Sequence, residues 1–326
     1  MIPTIDISNP SPASLREACR NTGFFYLSGH SIPQSLVDAV LSLSADLFAL
    51  EVSAKTRLSD PIMSRGYTAM GEETLDPTVQ KFGDTKEGYY IAADVPRDSE
   101  HYDPSRLIGP NIWPDDETGL ADPMTWKQTM EKYFSAMNDL GLKVVRLIAL
   151  SLNLPEDHFD AVFTRPMAAL RLLHYAPVQS NPNEGVFGCG AHSDYGMITI
   201  LLVDETMPGL QIFASAELGN GEKKVKEWID VPPVRGSFVV NIGDMLERWT
   251  GGLYKSTLHR VLTSGKSHRY SAPFFYEPNF DTAVAPLECC FDEMGEVIKQ
   301  YPPVISGEYL LSKYTQTHSD FKPEDT

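Results

Sequence analysis

Between residues 169 and 277 the chain is a succession of short apolar runs with no helical period separating them. The runs cover residues 169–175, 197–203, 210–213, 227–231, 237–242, 256–263 and 270–277, with Gly, Pro or Asn turns between them. Short apolar runs bounded by turn residues read as strands. Many strands in succession without a helix among them fold as a sandwich or a jelly roll. Helical patterns lie elsewhere. Over residues 123–153, Trp126, Met130, Tyr133, Met137, Leu140, Val144 and Ile148 recur at three- and four-residue steps. That stripe predicts a long helix laid on the β core by one face. Residues 34–50 show the same period, and Ser11 before Pro12 predicts an N-cap and a first helical position. The expected class is α+β.

One turn inside this β region carries chemistry. The segment Gly188-Cys189-Gly190-Ala191-His192-Ser193-Asp194 leads into the run at 197–203. Extended residues two apart share a face, so His192 and Asp194 aim into the same space. His259 sits in a later strand-like run, Ser256-Thr257-Leu258-His259-Arg260-Val261. Two imidazoles and one carboxylate on one side of a metal, with the other positions open, make the facial triad of non-haem Fe(II) oxygenases. A His-x-Asp pair alone is common by chance; its setting raises it. Ten residues beyond His259 comes Arg269-Tyr270-Ser271, again two apart at the start of an apolar run. An Arg fork matches a carboxylate bidentately, and a serine hydroxyl adds one more hydrogen bond. Cys189, three before His192, gives a zinc-like spacing, but no second such pair stands nearby and the triad is the better ligand set. His30 reads as structural, His268 as a surface residue, and His174 alternates away from Tyr175 and so away from the pocket.

The chain resembles the non-haem Fe(II), 2-oxoglutarate-dependent oxygenases of the isopenicillin N synthase-like family. The matching pieces run nearly end to end: Ile2-Pro3-Thr4-Ile5-Asp6-Ile7, Gly23-Phe24-Phe25-Tyr26, Gly29-His30 and Arg171 to Tyr175. His192-x-Asp194, Asn241-Ile242-Gly243-Asp244, His259-Arg260-Val261 and Arg269-x-Ser271 complete them in family order. The resemblance implies a double-stranded β-helix, a cupin-like jelly roll, flanked by N-terminal and central helices. It also implies Fe(II) on His192, Asp194 and His259, and 2-oxoglutarate whose far carboxylate meets Arg269, Ser271 and Tyr175. With O2, a small-molecule metabolite is hydroxylated, demethylated or desaturated while succinate and CO2 are released. Relatives place a substrate contact near Glu87, which stands either there, on an amine-bearing group, or as a solvated loop charge. Arg171 stands as a second carboxylate partner or a structural salt bridge. Tyr195 and Phe275 are expected pocket walls, and Trp249 core or lid. Leu173 stands where plant-type members carry Asn, and Ala176 precedes Pro177 where Pro commonly follows the Tyr; both departures bear on substrate class.

Composition limits the partners. Against 27 basic residues stand 44 acidic ones, a net charge of −17. An acidic surface attracts neither nucleic acid nor an anionic membrane. Cys19, Cys189, Cys289 and Cys290 are too few and too oddly placed for a disulfide framework, which fits a reducing compartment. With no leader pattern and no run long enough to span a bilayer, the expected location is cytoplasmic. One catalytic domain over 1–326 is expected: a mainly helical region 1–165, the jelly roll 166–280 and an extension 281–326. Residues 61–124 read as long loops with short strands, such as 88–91, over the pocket mouth. A tail helix is expected over 306–316, with His318 onward loose. A monomer is favoured. Two other classes stay open: a same-fold oxidase making ring closures or ethylene-type fragmentations with atypical 2-oxoglutarate use, and a catalytically silent β-barrel binding protein.

Overall fold

The computed structural model describes residues 2–215, 226–291 and 296–317; the loose tail expected from His318 lies outside them. The first lobe contributes β1 (Thr4–Asp6), α1 (Pro12–Asn21), β2 (Phe24–Ser28), α2 (Gln34–Phe48) and α3 (Val52–Thr56). Then come β3 (Ser59–Asp60), β4 (Arg65–Thr68), β5 (Lys86–Ala92) and the long α4 (Pro123–Ser151). The β-rich half runs β6 (Met167–Tyr175), β7 (Cys189–His192), β8 (Ile198–Val203), β9 (Leu210–Ser215), β10 (Lys226–Asp230) and β11 (Phe238–Ile242). After α5 (Asp244–Trp249) follow β12 (His259–Val261) and β13 (Arg269–Glu277). β14 (Ala283–Val284), β15 (Val304–Ile305) and α6 (Ser306–Thr317) close the described chain.

Two sheets face each other. The major one has the order β1-β2-β11-β8-β13-β6-β5-β4-β3, and the minor one β10-β9-β12-β7. Strand alternation sorts the side chains of the major sheet into two cores. Leu170, Leu172, Ile198, Ile200 and Phe274 point outward to the helices and are fully buried there. Each such side chain contributes about 2 kcal/mol by leaving water. Leu173, Tyr175, Val203 and Val239 point inward, against Ile212 and Val261 of the minor sheet. Phe134 of α4 meets Phe274 edge-on at 5.4 Å. Gly141 is required there, since a Cβ would sit 2.8 Å from the Tyr276 ring of β13. Ser11 caps α1 as its sequence predicts, accepting a hydrogen bond from the Ser14 amide at 3.3 Å.

Three elements differ from expectation. β5 is a seven-residue strand, buried throughout and hydrogen-bonded to β4 and β6, where a short strand in a covering loop is expected. Lys86 and Glu87 break its apolar run in the sequence, yet each is neutralised by a buried partner, Lys86 by Glu73 and Asp84 and Glu87 by Lys55. α5 interrupts a region read as strands alone; at six residues it is too short to show a period. α4 ends at Ser151, ahead of Pro155, because Asn153 takes a left-handed conformation at φ 59°. No helix among the described residues is long and apolar enough to cross a membrane.

Candidate metal centre and active site

β7 and β12 are antiparallel neighbours, and their register sets His259 opposite His192 with ring centroids 4.2 Å apart. Asp194 follows just past the end of β7, and its Oδ1 lies 3.7 Å from Nε2 of each imidazole. One ligand atom from each of the three residues falls within 4.8 Å of the others. Their remaining polar atoms are already engaged. His192 Nδ1 lies 2.8 Å from the Gly190 carbonyl and His259 Nδ1 3.1 Å from that of Thr257. A ring nitrogen facing a carbonyl carries the proton, so in each neutral ring it is Nε2 that presents a lone pair to the centre. Asp194 Oδ2 accepts from Asn241 Nδ2 at 2.7 Å and from Thr199 Oγ1 at 2.5 Å, which leaves Oδ1 for the centre.

Electrostatics agree with this geometry. Burial, and then the neighbouring His192, lower His259 to about 4, so its ring is neutral and able to ligate. Burial alone would raise Asp194; His259, His192 and the two hydrogen bonds keep it below the ordinary carboxylate value. Three deprotonated donor atoms with their outer positions fixed suit a divalent metal ion.

A second unsatisfied group lies on the same inner face. Arg269 and Tyr175 stand directly across β13 and β6, with the guanidinium 4.6 Å from the centre of the Tyr175 ring. Arg269 is 1% exposed. Its Nε donates to the Met207 carbonyl at 3.1 Å and its Nη1 to Ser271 Oγ at 3.4 Å. Among the described residues no carboxylate pairs with it. A buried cation without a counter-ion is expensive unless an anionic ligand completes it. Burial raises the Tyr175 hydroxyl above its ordinary value, so it stays protonated and able to donate.

Beside the metal centre opens a cavity of about 1080 Å³, walled by His192, Asp194, Tyr195, Arg171 and Phe275 among others. Arg171 sits over Tyr90, 4.5 Å from the ring centre, and its Nη1 donates to both oxygens of Glu73, at 2.8 and 2.9 Å. Of the two readings of Arg171 the structure shows the salt bridge, with Glu73, and the residue also lines the cavity.

Residues 166–278 match the 2OG-Fe(II) oxygenase superfamily, and residues 2–116 match the non-haem dioxygenase in morphine synthesis N-terminal region. Homoarginine-6-hydroxylase of Oryza sativa subsp. japonica is 35% identical over 310 residues, 92% of this chain and 87% of that one. The chain belongs to the 2OG-Fe(II) oxygenase superfamily. Clavatol oxidase of Penicillium crustosum is 36% identical over 342 residues, covering 98% of this oxygenase and 97% of the relative. A full-length Neurospora crassa protein, solved in complex with alpha-KG and thymine, superposes at a TM-score of 0.79 with 28% identity, over 97% and 96% of the two chains. The jelly-roll core is thus the family's, and the enzyme is a dioxygenase with Fe(II), 2-oxoglutarate and O2 as its reactants and cofactors.

Of the site candidates within this oxygenase, His192, Asp194, Tyr195, Arg171 and Phe275 line the cavity, while His259, Tyr175, Arg269 and Ser271 lie off it on the inner side of the sheets and Glu87 lies on the other face. Glu87 points to the outer face of the major sheet, is 4% exposed, and meets Lys55 at 2.8 Å, Tyr67 at 2.6 Å and His174 at 2.7 Å. It lines no part of the cavity and is no solvated loop charge either, because α3 brings Lys55 over it. His174 faces outward as expected, but it is bonded to His268 rather than idle. Trp249 is core, packed on Phe159 at 5.1 Å. Thr199, Glu73 and Glu277 escaped the sequence reading. Asn241 appears there only as part of a matching segment, with nothing in its own neighbourhood announcing a carboxylate partner 47 residues earlier.

Proposed function

We propose that His192, Asp194 and His259 hold the Fe(II) of this dioxygenase, and that Arg269, Ser271 and Tyr175 receive the far carboxylate of 2-oxoglutarate. One observation carries this reading: three converging ligand atoms and a buried, unpaired guanidinium share the space between the two sheets. When bound, the iron with its keto-acid cosubstrate and O2 supplies the oxidising power, and succinate and CO2 leave. The protein's part is positioning. Thr199 and Asn241 hold Asp194 to one coordinating oxygen, and the Gly190 and Thr257 carbonyls hold both imidazoles in the ligating tautomer. Arg269 and Ser271 fix the direction from which the dicarboxylate enters. Tyr195 and Phe275 form apolar walls beside the metal ligands, and Arg171, braced by Glu73, offers a polar edge.

The substrate is a small metabolite that fits this cavity, hydroxylated, demethylated or desaturated beside the metal. One catalytic domain does this: the major sheet takes strands from Thr4 to Glu277, and every residue of the triad and the clamp comes from one chain, which supports a working monomer. Four free cysteines support a cytoplasmic location.

The test is 2-oxoglutarate turnover by the iron-loaded enzyme. Succinate and CO2 are expected in equal amounts, none from Asp194→Ala, and from Arg269→Ala only at far higher 2-oxoglutarate. An unchanged 2-oxoglutarate dependence in Arg269→Ala, or O2 consumption without succinate, would overturn the assignment.

A further inference from the structure

Among the described residues the buried carboxylic acids are Glu73, Asp84, Glu87, Asp194, Glu247 and Glu277. Five of them face positive or metal-binding partners. Glu73 pairs with Lys86 and Arg171, Asp84 with Lys86, Glu87 with Lys55, Glu247 with Lys299, and Asp194 faces the two imidazoles. Glu277 is the exception. Its Oε2 accepts one hydrogen bond, from the Met197 amide at 2.7 Å, and no cation of the described residues reaches it. Its place is nonetheless built. A Cβ at Gly196 would overlap the carboxyl at 1.6 to 1.8 Å, so only glycine there admits it beside Asp194. Burial is the largest influence on the Glu277 carboxyl and pushes it up to about 8.

Glu277 lies at the cavity end of β13. It shares the inner face with Phe275, Ser271 and Arg269, because all are an even number of residues apart. That strand therefore carries the unpaired cation at one end and the unpaired acid at the other. Phe275 and Tyr314 line the same cavity, as do Tyr195 and Tyr90, whose rings already carry Lys313 at 5.7 Å and Arg171 at 4.5 Å; aromatic faces attract cations. The two buried guanidinium groups of the wall are already engaged, Arg171 by Glu73 and Arg65 by the carbonyls of Met63, Ser64 and Leu107. A net charge of −17 draws a cationic solute toward the molecule.

We propose that Glu277 fixes the substrate by a cationic nitrogen, an amine, amidine or guanidine, held beside the metal ligands against Tyr195 and Phe275. The role expected of Glu87 thus passes to a different acid. This inference rests on the reading of the metal centre given above.

The experiment is calorimetric titration of the full chain, loaded anaerobically with Fe(II) and 2-oxoglutarate, with matched pairs differing only in charge. The pairs are L-homoarginine and L-homocitrulline, agmatine and N-carbamoylputrescine, and benzylamine and benzyl alcohol. In at least one pair the cation should bind about tenfold tighter or better. Glu277→Gln should erase that preference while 2-oxoglutarate binding stays as in the wild type, and Glu277→Asp should retain part of it. Absence of a cation preference in every pair, including absence of binding, overturns the proposal, as does a preference that survives Glu277→Gln. Should Glu277→Gln fail to fold, the wild-type pairs and Glu277→Asp still decide. Failure of 2-oxoglutarate itself to bind would instead overturn the metal-centre reading.

Discussion

Two clusters of imidazole and carboxylate lie on opposite faces of the major sheet, and they differ in what they lack. On the outer face Glu87 is held by Lys55, Tyr67 and His174, and His174 passes its second nitrogen to His268 at 2.7 Å. Phe48 and Tyr270 stack on His174 and seal the group. Every charge there has its partner within the chain. On the inner face His192, Asp194 and His259 turn their satisfied atoms outward and their free ones toward one another. Residue types alone do not separate the two clusters. The outer one is complete and holds the fold together, while the inner one is complete only with a ligand.

The largest effect should come from the inner cluster. His192→Ala or Asp194→Ala is expected to abolish Fe(II) binding and turnover while leaving the melting temperature of the metal-free protein undiminished. Metal analysis with thermal unfolding checks both halves. A large loss of stability would mean that the inner cluster is structural after all.

The outer cluster should behave in reverse. Glu87→Leu leaves Lys55 buried and unpaired, which costs about 3 kcal/mol. Urea denaturation should show it, with the 2-oxoglutarate affinity of the folded protein unchanged. A variant that kept its stability and lost substrate binding would restore Glu87 to the active site.

Smaller effects belong to the residues that orient Asp194. Asn241→Ala or Thr199→Val should weaken Fe(II) binding by about 10- to 100-fold without removing it, as competition with a chelator would report.

A further effect concerns pH, and it separates two buried acids by sign. Glu87, which burial would raise, is lowered below its ordinary value by hydrogen bonds from His174, Lys55 and Tyr67. It adds stability that is present above the unfolded value and lost as pH falls through the lowered folded value. Glu277 is raised to about 8 from 4.5, so between those values the native state keeps a proton that the unfolded chain has released. Stability therefore falls as pH rises across that window. Melting temperatures of the metal-free protein should decline over it, and Glu277→Gln should flatten the decline.

The inner cluster was legible in the sequence because it is built on strand alternation. His192 and Asp194, and Arg269 and Ser271, are each two residues apart, which in extended backbone gives a shared face. The jelly roll was legible for the same reason, from runs bounded by turns. What was hidden depends on partners distant in the chain. Lys86 and Glu87 look like loop charges until Glu73, Asp84 and Lys55 close over them. Glu277 looks like the end of an apolar run until Gly196 makes room for it. α5 is too short to carry a period, and β5 hides its strand behind two charges.

The most direct measurement is an anaerobic titration with Fe(II) and then 2-oxoglutarate, followed by the visible metal-to-ligand charge-transfer band. It is run on the wild type, His192→Ala, Arg269→Ala and Glu87→Gln. The wild type and folded Glu87→Gln should give the band at the same 2-oxoglutarate concentration; His192→Ala should give none, and Arg269→Ala should need far more 2-oxoglutarate. A wild-type protein that binds iron stoichiometrically and gives no band, or an Arg269→Ala variant that titrates like the wild type, would contradict the assignment of the inner face as the cofactor site.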